Sequence, residues 1–335
     1  MGIDLPLVWA VIILFAIMMY VVMDGFDLGI GMLFPWFPAK EDRDVMMNTV
    51  APVWDGNETW LVLGGAGLLA AFPLAYSVVL SALYLPLAFM LVGLIFRGVA
   101  FEFRFKTEGA QRRLWDWSFA LGSFCAAFFQ GVTLGAFIDG IPMVAEQFSG
   151  GALDWLRPFP LFCGVGLVVA FMLLGSSWLV MKTGGALQAE MRRRTRTWVW
   201  ALLAVIVVIS LWTPWAHPAI AQRWFSTPNL YWFAPVPFLV ALCMYWLLRS
   251  LREGGEVAPF LLTLALVFLG YSGLGISLWP NVIPPDTSIW MAAAPPQSMG
   301  FTLVGALLII PVILMYTAFS YWVFRGKVGA EDGYH

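Results

Sequence analysis

Nine apolar runs set the terms on which this chain can fold. They lie near 7–34, 50–72, 75–98, 116–140, 158–181, 198–216, 231–250, 257–280 and 300–324. Each is close to the roughly 20 residues that a helix needs to cross the hydrocarbon of a bilayer. Backbone amides in lipid find no water, so a crossing segment must be a helix or part of a closed barrel. Runs this long and continuous lack the two-residue alternation of barrel strands. The expected fold is therefore an all-α integral membrane protein, a single polytopic domain over 1–335. Composition agrees: 61% of the residues are apolar and only 11% are charged, against about 25% charged in soluble domains. The first run has no basic residue ahead of it and is long enough to span, which is unlike a cleaved signal peptide.

The basic residues orient the map. Lys40 and Arg43 follow the first run. Arg97, Arg104, Lys106, Arg112 and Arg113 surround the end of the third. Lys182 and the Arg192–Arg196 cluster follow the fifth, Arg249 and Arg252 the seventh, and Arg325 and Lys327 the last. That places 16 of the 18 Lys and Arg residues on one side, with only Arg157 and Arg223 on the other. Cytoplasmic loops carry the Lys/Arg excess. Nine spans with the N-terminus outside and the C-terminus in the cytoplasm follow. The stretch 182–197 reads as a short helical extension that carries the arginine cluster. Tryptophans at the outer ends, as in Trp212-Thr213-Pro214-Trp215 and Trp279-Pro280, suit interfacial anchors.

Several chemistries lack their residues. The two histidines, His217 and His335, lie in an outside connection and at the last position, so no buried bis-histidine haem site can be built. Cys125, Cys163 and Cys243 sit in apolar runs at no metal spacing and read as small buried hydrophobes. No metal site, phosphate-binding loop or nucleic-acid partner is expected.

Charged groups at membrane depth are rare and mark function by default. The first run holds Asp24-Gly25-Phe26-Asp27-Leu28-Gly29, with two acids three residues apart on one helix face. The second opens Trp54-Asp55-Gly56-Asn57-Glu58-Thr59-Trp60, repeating that spacing. The third ends at Arg97, followed by Glu102 and Arg104. The topology gathers Asp24, Asp27, Asp55, Glu58, Glu102 and Arg97 toward the cytoplasmic ends of the first three spans. Two readings stand open: a structural ion-pair cluster around Arg97, or a proton-uptake path through the carboxylates. Elsewhere, Gln130 beside Gly131 and Gly135 reads as close helix packing. Asp139 reads as interfacial. Gly270, Gly273 and Gly275 read as a packing face before a lipid or quinone site.

The two acidic motifs, together with Phe101-Glu102-Phe103-Arg104 and Trp115-Asp116-Trp117, resemble subunit II of the cytochrome bd-type quinol oxidases. The likeness runs along the whole chain and is densest over 20–120. The short length and compact loops resemble the cyanide-insensitive branch. The resemblance implies a haem-free subunit paired with a larger subunit I that carries haem b and haem d and oxidises quinol. Together they would form a proton-consuming, electrogenic ubiquinol oxidase in the bacterial cytoplasmic (inner) membrane. It also implies a structural ubiquinone in some members and a small single-helix accessory subunit. Asp55 matches the acid at the entry of a proton path and Glu102 a second acid there. Asp24 and Asp27 match the first-helix pair, and Arg97 the arginine closing the third span. The competing class is a proton-coupled secondary transporter. Its usual pair of broken helices at matching places in two halves is not evident.

Overall fold

A computed structural model describes residues 3–329 and 331. His335 lies outside the described residues. Twelve helices follow in chain order: α1 Leu5–Leu33, α2 Lys40–Asn48, α3 Trp54–Ala71, α4 Pro73–Phe103, α5 Gly109–Asp139, α6 Pro158–Lys182, α7 Gly185–Ala216, α8 Pro218–Phe225, α9 Asn229–Phe233, α10 Pro235–Glu253, α11 Ala258–Leu278 and α12 Pro296–Val323. Two small antiparallel hairpins, β1 Met143–Val144 with β2 Gln147–Phe148 and β3 Asn281–Ile283 with β4 Thr287–Ser288, close connections between long helices.

Eight of the helices are long and apolar enough to cross a membrane. The remaining apolar run, near 50–72, is α3. It is 18 residues long and its first turns carry Asp55, Asn57 and Glu58. The polar stretch at 182–197 is helical as expected: α7 begins at Gly185 and carries the arginines outward from its apolar length. Arg192 and Arg196 donate to the carbonyls of Gly255 and Leu251 at the end of α10, each at 2.9 Å. These are backbone groups that the helix itself leaves unsatisfied.

Small residues set how closely the central helices approach. A Cβ built on Gly29 of α1 would lie 1.9 Å from the Phe171 carbonyl oxygen of α6, with Gly175 opposite. Gly93 and Gly122 bring α4 against α5 in the same way, and a Cβ on Gly131 would lie 2.6 Å from the Cys163 carbonyl oxygen. The close packing expected beside Gln130 is therefore present, between α5 and α6. As a result, every residue of α1 from Met23 onward is buried, inside a wall of α3, α5, α6, α11 and α12. α4 carries a kink: Leu83 leaves helical geometry (φ −115°, ψ 19°) three residues before Pro86. Proline there removes one helix hydrogen bond and crowds the carbonyl four residues back.

The glycines of α11 correct an expectation. Gly270, Gly273 and Gly275 have no atom of the chain within 4 Å of a built Cβ. The close helix packing expected at these glycines is therefore not made within this chain, and Gly275 lies about 140° around α11 from Gly270, so the three form no single face. Of the cysteines, Cys163 is buried while Cys125 and Cys243 are half-buried, and all are free. The C-terminal segment is tied back: Lys182 Nζ donates to the Phe324 carbonyl and Val328 N–H to the Lys182 carbonyl. Lys327 pairs with Glu256 at 2.7 Å. Hydrogen bonds from Lys327 and Gln188 hold the Glu256 carboxyl below the usual carboxylate range.

Candidate functional site: a buried acid–arginine cluster

The helix period places Tyr20, Asp24 and Asp27 on one side of α1, and all three are buried. At 1.5 Å per residue Asp24 lies about 28 Å from the start of α1. Arg97, on α4, has no exposed surface. Its Nη1 donates to Asp24 Oδ1 at 2.6 Å, and its Nη2 pairs with Glu58 Oε1 of α3. The face of Trp54 lies 6.0 Å from its guanidinium carbon. Trp54 in turn stacks on Phe101, ring centroids 5.0 Å apart.

Asp27 is held by a different partner. Asn57 Nδ2 donates to Asp27 Oδ2 at 2.8 Å, and Tyr321 of α12 donates its hydroxyl hydrogen to Asn57 Oδ1 at 2.8 Å. Asp27 Oδ1 is buried with no hydrogen bond from the described residues. The hydroxyl of Tyr20 faces Asp24. One guanidinium therefore pairs with two carboxylates and lies near a third, Asp27, which an amide holds, and two phenols complete the cluster. Burying one cation among three acids is costly unless protons balance the excess. Such a set can hold a proton and hand it along.

Glu58 is the cluster's exposed edge, with 26% of its side chain accessible. Asp55, one turn earlier on α3, is exposed and close enough for its charge to act on Glu58. Glu102 is not part of the cluster. It is exposed and pairs with Lys106 at 3.4 Å. Five residues at 100° each carry it about 140° around α4 from Arg97, so the two cannot share a face. The structure thus brings together Asp24, Asp27, Glu58 and Arg97. It leaves Asp55 at the rim and Glu102 outside.

Sequence reading missed Asn57, Tyr20 and Tyr321, uncharged groups with no spacing of their own to mark them. It also missed a second network. Arg104, fully buried, donates Nε to Asp116 Oδ1 at 2.5 Å and Nη1 to Asp44 Oδ1 at 2.6 Å. Arg112 also reaches Asp44, and Arg43 reaches Asp116, both at 2.7 Å. Three arginines and two aspartates from α2, α5 and the turn at 104–106, which follows α4 directly, lock this end of the bundle together. The signal was Asp116 between two tryptophans just after a basic pair. At the other end of α5, Asp139 meets His217 Nε2 at 3.2 Å. Asp139 thus has a side-chain neighbour that the interfacial position expected of it did not include. Among the described residues no group of three His, Cys, Asp or Glu side chains could hold a metal.

A family model described as cytochrome bd terminal oxidase subunit II matches residues 5–324. The chain is 28% identical to cytochrome bd-I ubiquinol oxidase subunit 2 of Escherichia coli K12, over 98% of this chain and 96% of that one. It is 26% identical to cytochrome bd ubiquinol oxidase subunit 2 of Bacillus subtilis 168, over 97% of each. In fold it is similar to a chain of the bd oxidase from Geobacillus thermodenitrificans, with a TM-score of 0.74 at 10% identity and 96% of this chain covered.

Proposed function

This chain belongs to the cytochrome bd terminal oxidase subunit II family, and on that premise we propose that it is the haem-free membrane partner of a larger, haem-bearing subunit I. Its own tasks are to stabilise that subunit and to line a cytoplasmic proton route for the reduction of dioxygen to water by ubiquinol. The observation that carries the reading is the graded acid series from the rim to the interior. Asp55 is exposed, Glu58 is partly exposed, and Asp24 and Asp27 are buried beside Arg97. With nine spans and an outside N-terminus, that series opens toward the cytoplasm, the side that supplies protons.

Further features support the partner role. The outer face of α3 presents Asp55, Thr59, Val62, Gly65 and Leu69, all exposed at helical spacing. On this reading the second protein covers the apolar length of this face and leaves Asp55 open at its cytoplasmic end. Haem b and haem d belong to subunit I on this reading. The donors here do not fit a haem: His217 lies between α7 and α8 against Asp139, and no described helix carries a histidine. The uncrowded surface of α11 beside Gly270 and Gly273 offers room for the tail of a structural ubiquinone or for the helix of a small accessory subunit. The protein is then multi-pass in the bacterial cytoplasmic membrane, and the transporter alternative loses its footing.

The test is purification through a tag on this chain. The wild type brings down a larger subunit with haem absorbance and quinol-dependent oxygen uptake. Asp55→Asn keeps haem and partner and lowers oxygen uptake about tenfold, less than the ~10²–10⁴ that removing a direct acid–base group costs. Full oxygen uptake in an assembled Asp55→Asn complex removes Asp55 from the route. A colourless chain that purifies alone removes the subunit reading.

A further inference from the structure

The lipid-facing side of the bundle carries a groove unconnected with the acid cluster. It has a volume of about 250 Å³ and runs between the end of α1, α5 and α6. Its walls are apolar, among them Trp36, Trp117, Leu121, Phe124 and Met172. Leu121 and Trp117 are more than half exposed, so the groove opens sideways to hydrocarbon.

Charge is concentrated at one end of it. Arg113 precedes Trp117 by four residues, which places it one turn along α5 on the same face. It is exposed, and no carboxylate among the described residues pairs with it. On the opposite wall, the guanidinium carbon of Arg194 lies 5.9 Å from the Trp36 ring and 5.2 Å from that of Phe37. Arg194 shares the single carboxylate of Glu190 with Arg193, so this wall also keeps a net positive charge. The two tryptophans that line the groove thus each carry an arginine toward its basic end.

We infer that this groove binds one anionic phospholipid of the basic-loop leaflet. The phosphate sits between Arg113 and Arg194, Trp36 and Trp117 flank the glycerol, and one acyl chain lies along Leu121, Phe124 and Met172. Charge complementarity selects this occupant. Basic pockets between membrane helices bind acidic headgroups, and tryptophan prefers the headgroup level. A quinone tail or an apolar partner helix would fill the slot without using either arginine. The inference is independent of the proton route.

The purified complex, exchanged into detergent carrying either phosphatidylglycerol or phosphatidylcholine with the same acyl chains, is examined by native mass spectrometry. The wild type retains one more phosphatidylglycerol than the Arg113→Gln, Arg194→Gln double variant. Each single substitution weakens retention about fivefold, from roughly 1 kcal/mol per basic residue at a membrane surface. Arg113→Lys restores it, and glycerol phosphate does not compete. Arg113 is exposed and unpaired, so Arg113→Gln keeps wild-type haem content and melting temperature, and its loss of lipid is not a folding defect. Equal retention of the two lipids, or of phosphatidylglycerol by wild type and variants, overturns the site. So does displacement by ubiquinone without arginine dependence, and displacement by glycerol phosphate alone would make it a phosphate site, not a lipid site.

Discussion

Arg97→Leu is expected to cost about 3–5 kcal/mol and to strip the complex from the membrane, because it leaves buried carboxylates without their cation. Asp24 loses its 2.6 Å partner, and Glu58 loses the guanidinium that pairs with its Oε1. Asp24 cannot turn to water, since it is fully buried, whereas Glu58 at the partly exposed edge recovers some solvation. The loss of a cation–π contact with Trp54 adds a smaller amount. The result appears as low yield of the tagged complex, lost haem absorbance and a lowered melting temperature. The damage is specific to charge. Combining Arg97→Leu with Asp24→Asn and Glu58→Gln removes the stranded charges and recovers part of the yield, as strongly coupled neighbours require. If the triple variant is no better than the single one, the ion-pair account of Arg97 is wrong.

Gly29→Ala carries the second large effect. One added methyl would stand 1.9 Å from the Phe171 carbonyl oxygen and 2.9 Å from Gly175 N. Both are backbone atoms, so no side chain can swing aside. α1 and α6 must separate, and every contact along their shared length loosens. The cost lies at or above the upper end of the ~1–3 kcal/mol typical of overpacking. The shift also moves Asp27, half a turn away on α1, relative to Asn57. Gly184→Ala serves as the contrast. Nothing lies within 4 Å of its built Cβ, and its φ of −138° suits any residue, so the change stays within about 0.5 kcal/mol. Thermal melts of the two purified variants check the pair.

These effects show which parts of the molecule sequence can convey. Length and apolarity located the long helices because lipid allows few other structures. The helix at Gly185–Ala216 starts earlier than its apolar run because Arg192–Arg196 cap α10 outside the hydrocarbon. Spacing put Asp24 with Asp27 and Asp55 with Glu58, and it is silent on which of the second pair turns inward. That depends on where α3 meets α1 and α4. Glu102 looked like a member by proximity in sequence and fails by rotation about α4. Asn57 and Tyr321, 264 residues apart, meet over Asp27 only because α12 returns to α3. The glycines divide in the same way. Gly29, Gly93 and Gly131 pack backbone on backbone, whereas Gly270, Gly273 and Gly275 meet no other part of the chain, and the sequence pattern is alike.

The central claim is that the acids beside Arg97 pass protons. Its most direct test is the rate of proton uptake from the cytoplasmic side, followed with a pH-sensitive dye as fully reduced complex in sealed vesicles reacts with oxygen. On the proposed route Glu58 is the step between the exposed rim and the buried pair. In a Glu58→Gln complex that retains its haem and its partner, the account predicts uptake slowed by at least about tenfold, with electron entry from quinol unaltered. Uptake at the wild-type rate in that assembled variant would contradict it and leave the cluster a structural ion pair.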